Sequence, residues 1–152
     1  MKNNFDFFVG TWTSQQRRLR NPLTGSTDWY EFVGNTRCWS VFDGAGSIDE
    51  VSLPDLGFNG LTLRTYDETT DEWSLYWINS KTGIALPPQV GRFDDNGLGT
   101  FLADDIYDGK PIKVVYWWSE ITGDSCRWEQ AFSTDGGTTW EPNWIAEWKR
   151  TG

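Results

Sequence analysis

Carboxylates, tyrosines, lysines and arginines carry all the strong acid–base chemistry open to this chain, because its 152 residues include no histidine. That absence removes Ser-His-Asp and Cys-His nucleophilic catalysis, histidine-ligated haem, and the usual zinc and non-haem iron sites. Asp49-Glu50 is the first acidic pair to weigh. Successive strand residues face opposite ways, so only one of the two can point inward. Grouping Glu50 with Ile48 and Ser52 selects Glu50 as an interior carboxylate, although a carboxylate near a strand end is more often simply exposed. An apolar wall would raise its pKa and suit it to moving a proton near neutrality. Glu50 and Tyr116 are the expected catalytic residues. Arg64 lies mid-strand between Leu63 and Thr65, where a guanidinium either snorkels to water or anchors the acid or carbonyl of a ligand. Asn79, Gln130 and Asn143 can orient a ligand by hydrogen bonds, or satisfy backbone at a corner. No nucleophile with a neighbouring base stands out. Asp94-Asp95 and Asp104-Asp105 lack the spacing of a calcium loop, so no metal or cofactor is expected.

Eleven tryptophans, five tyrosines and nine phenylalanines give an unusually ring-rich interior. Flat side chains with few rotatable bonds make cavity walls at low entropic cost, whereas aliphatic ones interdigitate and fill space. Strand alternation groups Trp73, Leu75, Trp77 and Asn79 on one face, Cys126, Trp128, Gln130 and Phe132 on another, and Trp144, Ala146 and Trp148 on a third. The run Val114-Val115-Tyr116-Trp117-Trp118 is apolar on both faces; Lys113 sharing a face with Trp117 leaves Tyr116 and Trp118 as the inward pair. Arg64, Trp77, Asn79, Trp118, Trp128, Gln130 and Trp144 are the expected ligand-binding residues.

Those residues need strands to hold them. No window of the chain keeps a helical apolar period without Gly, Pro or β-branched interruption. Strands are expected near 10–20, 27–33, 36–42, 47–53, 60–66, 72–79, 89–93, 99–106, 111–121 and 125–133, with an eleventh near 143–150. Turn residues separate them, including Gly34-Asn35, Asp43-Gly44, Asp94-Asp95-Asn96-Gly97, Asp108-Gly109 and Asp135-Gly136-Gly137. Short connections favour antiparallel neighbours, and closing such a sheet removes its edges. The fold class is therefore all-β: a single up-and-down antiparallel barrel of about ten strands, one domain over residues 1–152. A barrel wider than eight strands leaves an interior void. Phe5-Asp6-Phe7-Phe8-Val9 is expected as a short helical turn or plug over one mouth.

A net charge of −9 repels phosphate backbones and anionic membranes, so neither nucleic acid nor a membrane is an expected partner. In Arg17-Arg18-Leu19-Arg20 alternation splits the charge between two faces. With no apolar stretch of spanning length and no signal-peptide pattern, a cytoplasmic location is expected, with Cys38 and Cys126 as reduced, buried thiols. Oligomeric state is open, a homodimer included.

The opening Phe5-Asp6-Phe7-Phe8-Val9-Gly10-Thr11-Trp12 resembles the start of calycin barrels: lipocalins, fatty-acid-binding proteins and the nitrobindin-like group. Arg150 looks like the basic residue that packs across that first tryptophan in lipocalins. Arg127-Trp128-Glu129-Gln130-Ala131-Phe132-Ser133, with Asp135-Gly136-Gly137, Trp140-Glu141 and Asn143-Trp144, resembles a bacterial lipocalin-like family of unknown function. The likeness implies a barrel over nearly the whole chain. Nitrobindin-like proteins hold haem through a histidine, which is missing here.

Three functions follow as expectations. The first is binding of a small, largely apolar or aromatic molecule inside the barrel. The second makes the same cavity a cofactor-independent cyclase, isomerase or lyase acting on a polyketide- or lipid-like substrate. The third is a protein-interaction or structural module, with the exposed aromatics forming an interface.

Overall fold

In the computed structural model, which describes residues 1–152, alternation and turn chemistry produce eleven strands. They are β1 (Gly10–Leu19), β2 (Trp29–Val41), β3 (Gly46–Leu53), β4 (Phe58–Asp67), β5 (Glu72–Asn79), β6 (Gly83–Ile84), β7 (Gln89–Phe93), β8 (Gly99–Tyr107), β9 (Lys110–Ser119), β10 (Ser125–Ser133) and β11 (Glu141–Arg150). The hydrogen-bonded order runs β4-β3-β2-β1-β11-β10-β9-β8-β7-β5, and β4 also pairs with β5, which closes a ten-stranded antiparallel barrel. The two-residue β6 is a spur on the end of β5. No helix is long and apolar enough to cross a membrane.

One expected turn is absent. Gly34-Asn35 sits inside the continuous strand β2, and Gly34 opposes Ser14 on β1. A Cβ there would lie 2.8 Å from the Ser14 hydroxyl and 2.8 Å from the Gln16 amide nitrogen. Glycine is needed because two interior polar side chains cross in front of it, not because the chain reverses.

One end of the barrel is plugged. A 3-10 turn at Asp6–Phe8 carries Phe5 and Phe8 into the interior, each 1% exposed. Phe5 meets Trp73 edge-on at 5.0 Å, and Phe8 stacks on Trp12 at 5.1 Å. The last strand locks the plug. Arg150 lies directly across from Trp12, places its guanidinium 4.3 Å over that ring, and donates to the carbonyls of Val9 (2.6 Å) and Phe7 (2.7 Å). This is the packing that the resemblance implied for Arg150. Gly10 makes room for it: its φ is +126°, and a Cβ would fall 2.5 Å from Arg150 Nη1.

Candidate functional site

Above the plug lies a cavity of about 80 Å³, floored by Phe8, Asp49, Arg64, Trp118 and Trp148 and walled by Leu75, Trp77, Tyr116, Trp128, Gln130 and Trp144. Inward alternation on six strands, with Phe8 from the 3-10 turn, supplies these side chains. Gly60 on β4 admits Trp77: a Cβ there would stand 1.9 Å from the indole. The Trp144 ring meets Trp77 (6.2 Å) and Trp128 (5.6 Å) nearly edge-on, and Tyr116 meets Trp128 at 5.1 Å. Trp144 Nε1 donates to Gln16 Oε1 at 2.8 Å, and Gln16 donates in turn to Ser14, which fixes the indole's orientation.

The floor is polar but neutral in sum. Arg64 and Asp49 form a buried ion pair, with side chains 2% and 6% exposed, and Arg64 Nη1 also reaches the Ser47 hydroxyl at 3.2 Å. Burial pushes the Asp49 carboxyl up, and the Arg64 guanidinium pulls it back down. Since arginine stays protonated, a carboxylate beside it leaves no net charge in the interior. Three buried N–H groups of floor residues have no acceptor: Arg64 Nε, Trp118 Nε1 and Trp148 Nε1. Buried donors are normally satisfied, so three among the lining residues of one cavity are an unusual concentration.

The structure brings seven of the nine expected site residues together: Tyr116, Arg64, Trp77, Trp118, Trp128, Gln130 and Trp144 all line the cavity. Glu50 does not. It faces outward on β3, 45% exposed, and pairs with Arg37 across the ladder at 3.3 Å. Asp49 holds the interior position in its place. The reason is the apolar vote of Val51 and Leu53, 5% and 1% exposed, which sets the odd-numbered face of β3 inward and carries Asp49 with it. Asn79 also stays out of the lining: at the end of β5 its Oδ1 accepts from the Lys81 backbone N–H at 2.8 Å and shapes the turn. Burial, helped by Asp105, lifts the Tyr116 phenol well above its ordinary pKa, which makes it a hydrogen-bond donor rather than a base. Cys38 and Cys126 are free, and burial pushes them up to about 11 and about 12, so both are poor nucleophiles at neutral pH.

Toward the open end the interior widens into two recesses. One, of about 360 Å³, lies under Ile84–Pro87 and shares Leu75, Trp77, Tyr116 and Gln130 with the cavity. The other, of about 390 Å³, lies between Arg18, Tyr30, Tyr107, Gln130 and Asn143. A β-bulge in the β10–β11 ladder turns Asn143 inward beside Trp144, although plain alternation would put them on opposite faces. No group of three or more His, Cys, Asp or Glu side chains converges anywhere on the chain as a metal would require.

No protein-family model matches the chain, and no curated protein matches it in sequence. Among solved structures it is similar to the S-type phycobiliprotein lyase CPES from Guillardia theta, at 14% identity and a TM-score of 0.54, over 100% of this chain and 94% of that one. At this identity the likeness establishes architecture alone: a closed, ten-stranded antiparallel barrel.

Proposed function

We propose that this barrel binds a small, flat, largely apolar organic molecule whose inner end carries an oxygen acceptor. The observation behind this reading is the floor, where Arg64 Nε, Trp118 Nε1 and Trp148 Nε1 are buried donors without acceptors beneath walls of Trp77, Trp128 and Trp144. Because Asp49 already neutralises Arg64, the floor suits a neutral carbonyl better than a second carboxylate. At about 80 Å³ the cavity holds one end of a ligand; the body must extend toward the recesses, since clefts for drug-sized molecules run to roughly 300–1,000 Å³. Conjugated, carbonyl-bearing molecules, bilin-like pigments among them in view of the lyase neighbour, belong in the test panel.

The test is tryptophan-fluorescence quenching together with thermal unfolding across such a panel. A true ligand at 100 times its Kd stabilises by about 2.7 kcal/mol. For a chain of this size that raises Tm by roughly 5–10 °C. Uniformly flat responses sink the reading.

A second reading makes the cavity catalytic, a cofactor-independent isomerase, cyclase or lyase. It is favoured by one observation: a buried carboxyl and a buried phenol, Asp49 and Tyr116, share the cavity. Here Asp49 takes the part expected of Glu50, and Tyr116 donates a hydrogen bond to a developing oxyanion. Turnover of a bound molecule that is lost in Tyr116→Phe while its affinity persists separates this reading from simple binding.

A further inference from the structure

Among the charged side chains that face the barrel interior, Arg18 stands apart from the rest. Arg64 and Asp49 neutralise each other at the floor. Asp105 stands exposed on β8 with its carboxylate on the Ile106 backbone N–H. Arg18 on β1 is half-buried at the open end, with its guanidinium 4.3 Å over the Trp144 ring and no carboxylate or carbonyl in reach. Its sequence neighbour Arg20, by contrast, is paired with Asp28 at 3.4 Å. Beside Arg18 in the same recess is Asn143, 2% exposed, whose Oδ1 accepts from Gln130 Nε2 at 2.8 Å while its own Nδ2 donates to nothing. A buried amide donor without a partner and an unpaired guanidinium in one recess call for an anionic acceptor. In a chain of net charge −9 such a spot is not a product of general basicity.

We propose that Arg18 and Asn143 form a carboxylate subsite at the mouth. The ligand is then a flat organic acid held with its acid group outward and its ring body inward against Trp128 and Trp144. This rests on the cavity reading above and adds a direction to it. A carboxylate at the floor would compete with Asp49 for Arg64 and leave a net negative charge buried, whereas at the mouth it neutralises Arg18. Asp105, four strands round the barrel from Arg18, repels the same group and confines it to the Arg18 side.

The probes are 2-naphthaleneacetic acid and its neutral amide, titrated against tryptophan fluorescence with wild type, Arg18→Gln and Arg20→Gln. The acid is expected to bind wild type about tenfold more tightly than the amide, the effect of one good charge-assisted contact. Arg18→Gln should abolish that preference by weakening the acid alone, and Arg20→Gln should preserve it. Equal binding of acid and amide to wild type overturns the subsite and leaves the cavity reading standing. So does equal weakening of both probes by Arg18→Gln, which would make Arg18 a packing residue only. Failure of both probes to bind wild type overturns the cavity reading and the subsite with it.

Discussion

At the plugged end Phe5 and Phe8 are each 1% exposed, and the two arginines that pack against the plug are tied down, Arg64 by Asp49 and Arg150 by backbone carbonyls. At the open end Arg18 has only an indole face for company and Asn143 keeps a buried N–H free. The same residue types serve opposite purposes. Where the interior must be sealed, the charges are matched within the chain and rings meet at 5.0–5.1 Å; where it must receive something, a charge is left unmatched beside half-buried rings. Stability should therefore concentrate at the plug and recognition at the mouth.

The sharpest test of that division is the floor ion pair. Asp49→Ala should destabilise the fold by about 3–5 kcal/mol, because it strands the Arg64 charge in the interior. The double change Asp49→Leu with Arg64→Met should recover most of the loss. Urea unfolding reads both, and a single variant as stable as wild type would show that water already reaches the floor.

Next in size is a pair of ring deletions. Phe8→Ala at the plug should cost about 3–5 kcal/mol, the usual range for a buried aromatic. Trp77→Ala at the half-buried wall should cost less than half as much, since its indole already borders open space. Similar losses at both positions would erase the contrast between the ends.

The smallest effect belongs to a loop at the open end. Asp135 accepts from Thr139 and Ser133, and these bonds hold its pKa down at about 2, below the ordinary 3.8. A depressed carboxylate stabilises the fold fully above pH 3.8, and that contribution is lost as the pH falls toward 2. Asp135→Asn should thus lower stability slightly at neutral pH and flatten the acid limb between those values. An unchanged acid limb would show that the loop does not contribute.

Much of this was legible in the residues themselves. Parity on β5, β9, β10 and β11 placed Trp77, Tyr116, Trp118, Trp128, Gln130 and Trp144 correctly, because each of those strands has enough large rings on one face to settle its orientation. On β3 the tandem Asp49-Glu50 drew attention to the wrong partner. Val51 and Leu53, two and four residues past Asp49, carried the better signal. Two features lay beyond any local reading. Gly34 looks like a turn glycine until Ser14 and Gln16 are seen crossing in front of it from the neighbouring strand. The bulge that turns Asn143 inward is a property of the ladder between β10 and β11, and alternation along β11 alone argues against it.

The pairing of Trp12 with Arg150 also has a consequence for how the chain is made. Nearly every other ladder joins strands adjacent in sequence, so a growing chain can zip them in order as they emerge from the ribosome. The β1–β11 seam joins the first strand to the eleventh and so must wait for β11, and until β11 is in place β1 and β10 are raw edges able to pair with another nascent copy. The Arg150 clamp on the plug thus accompanies closure of the barrel, the step that turns an aggregation-prone ribbon into an edgeless vessel.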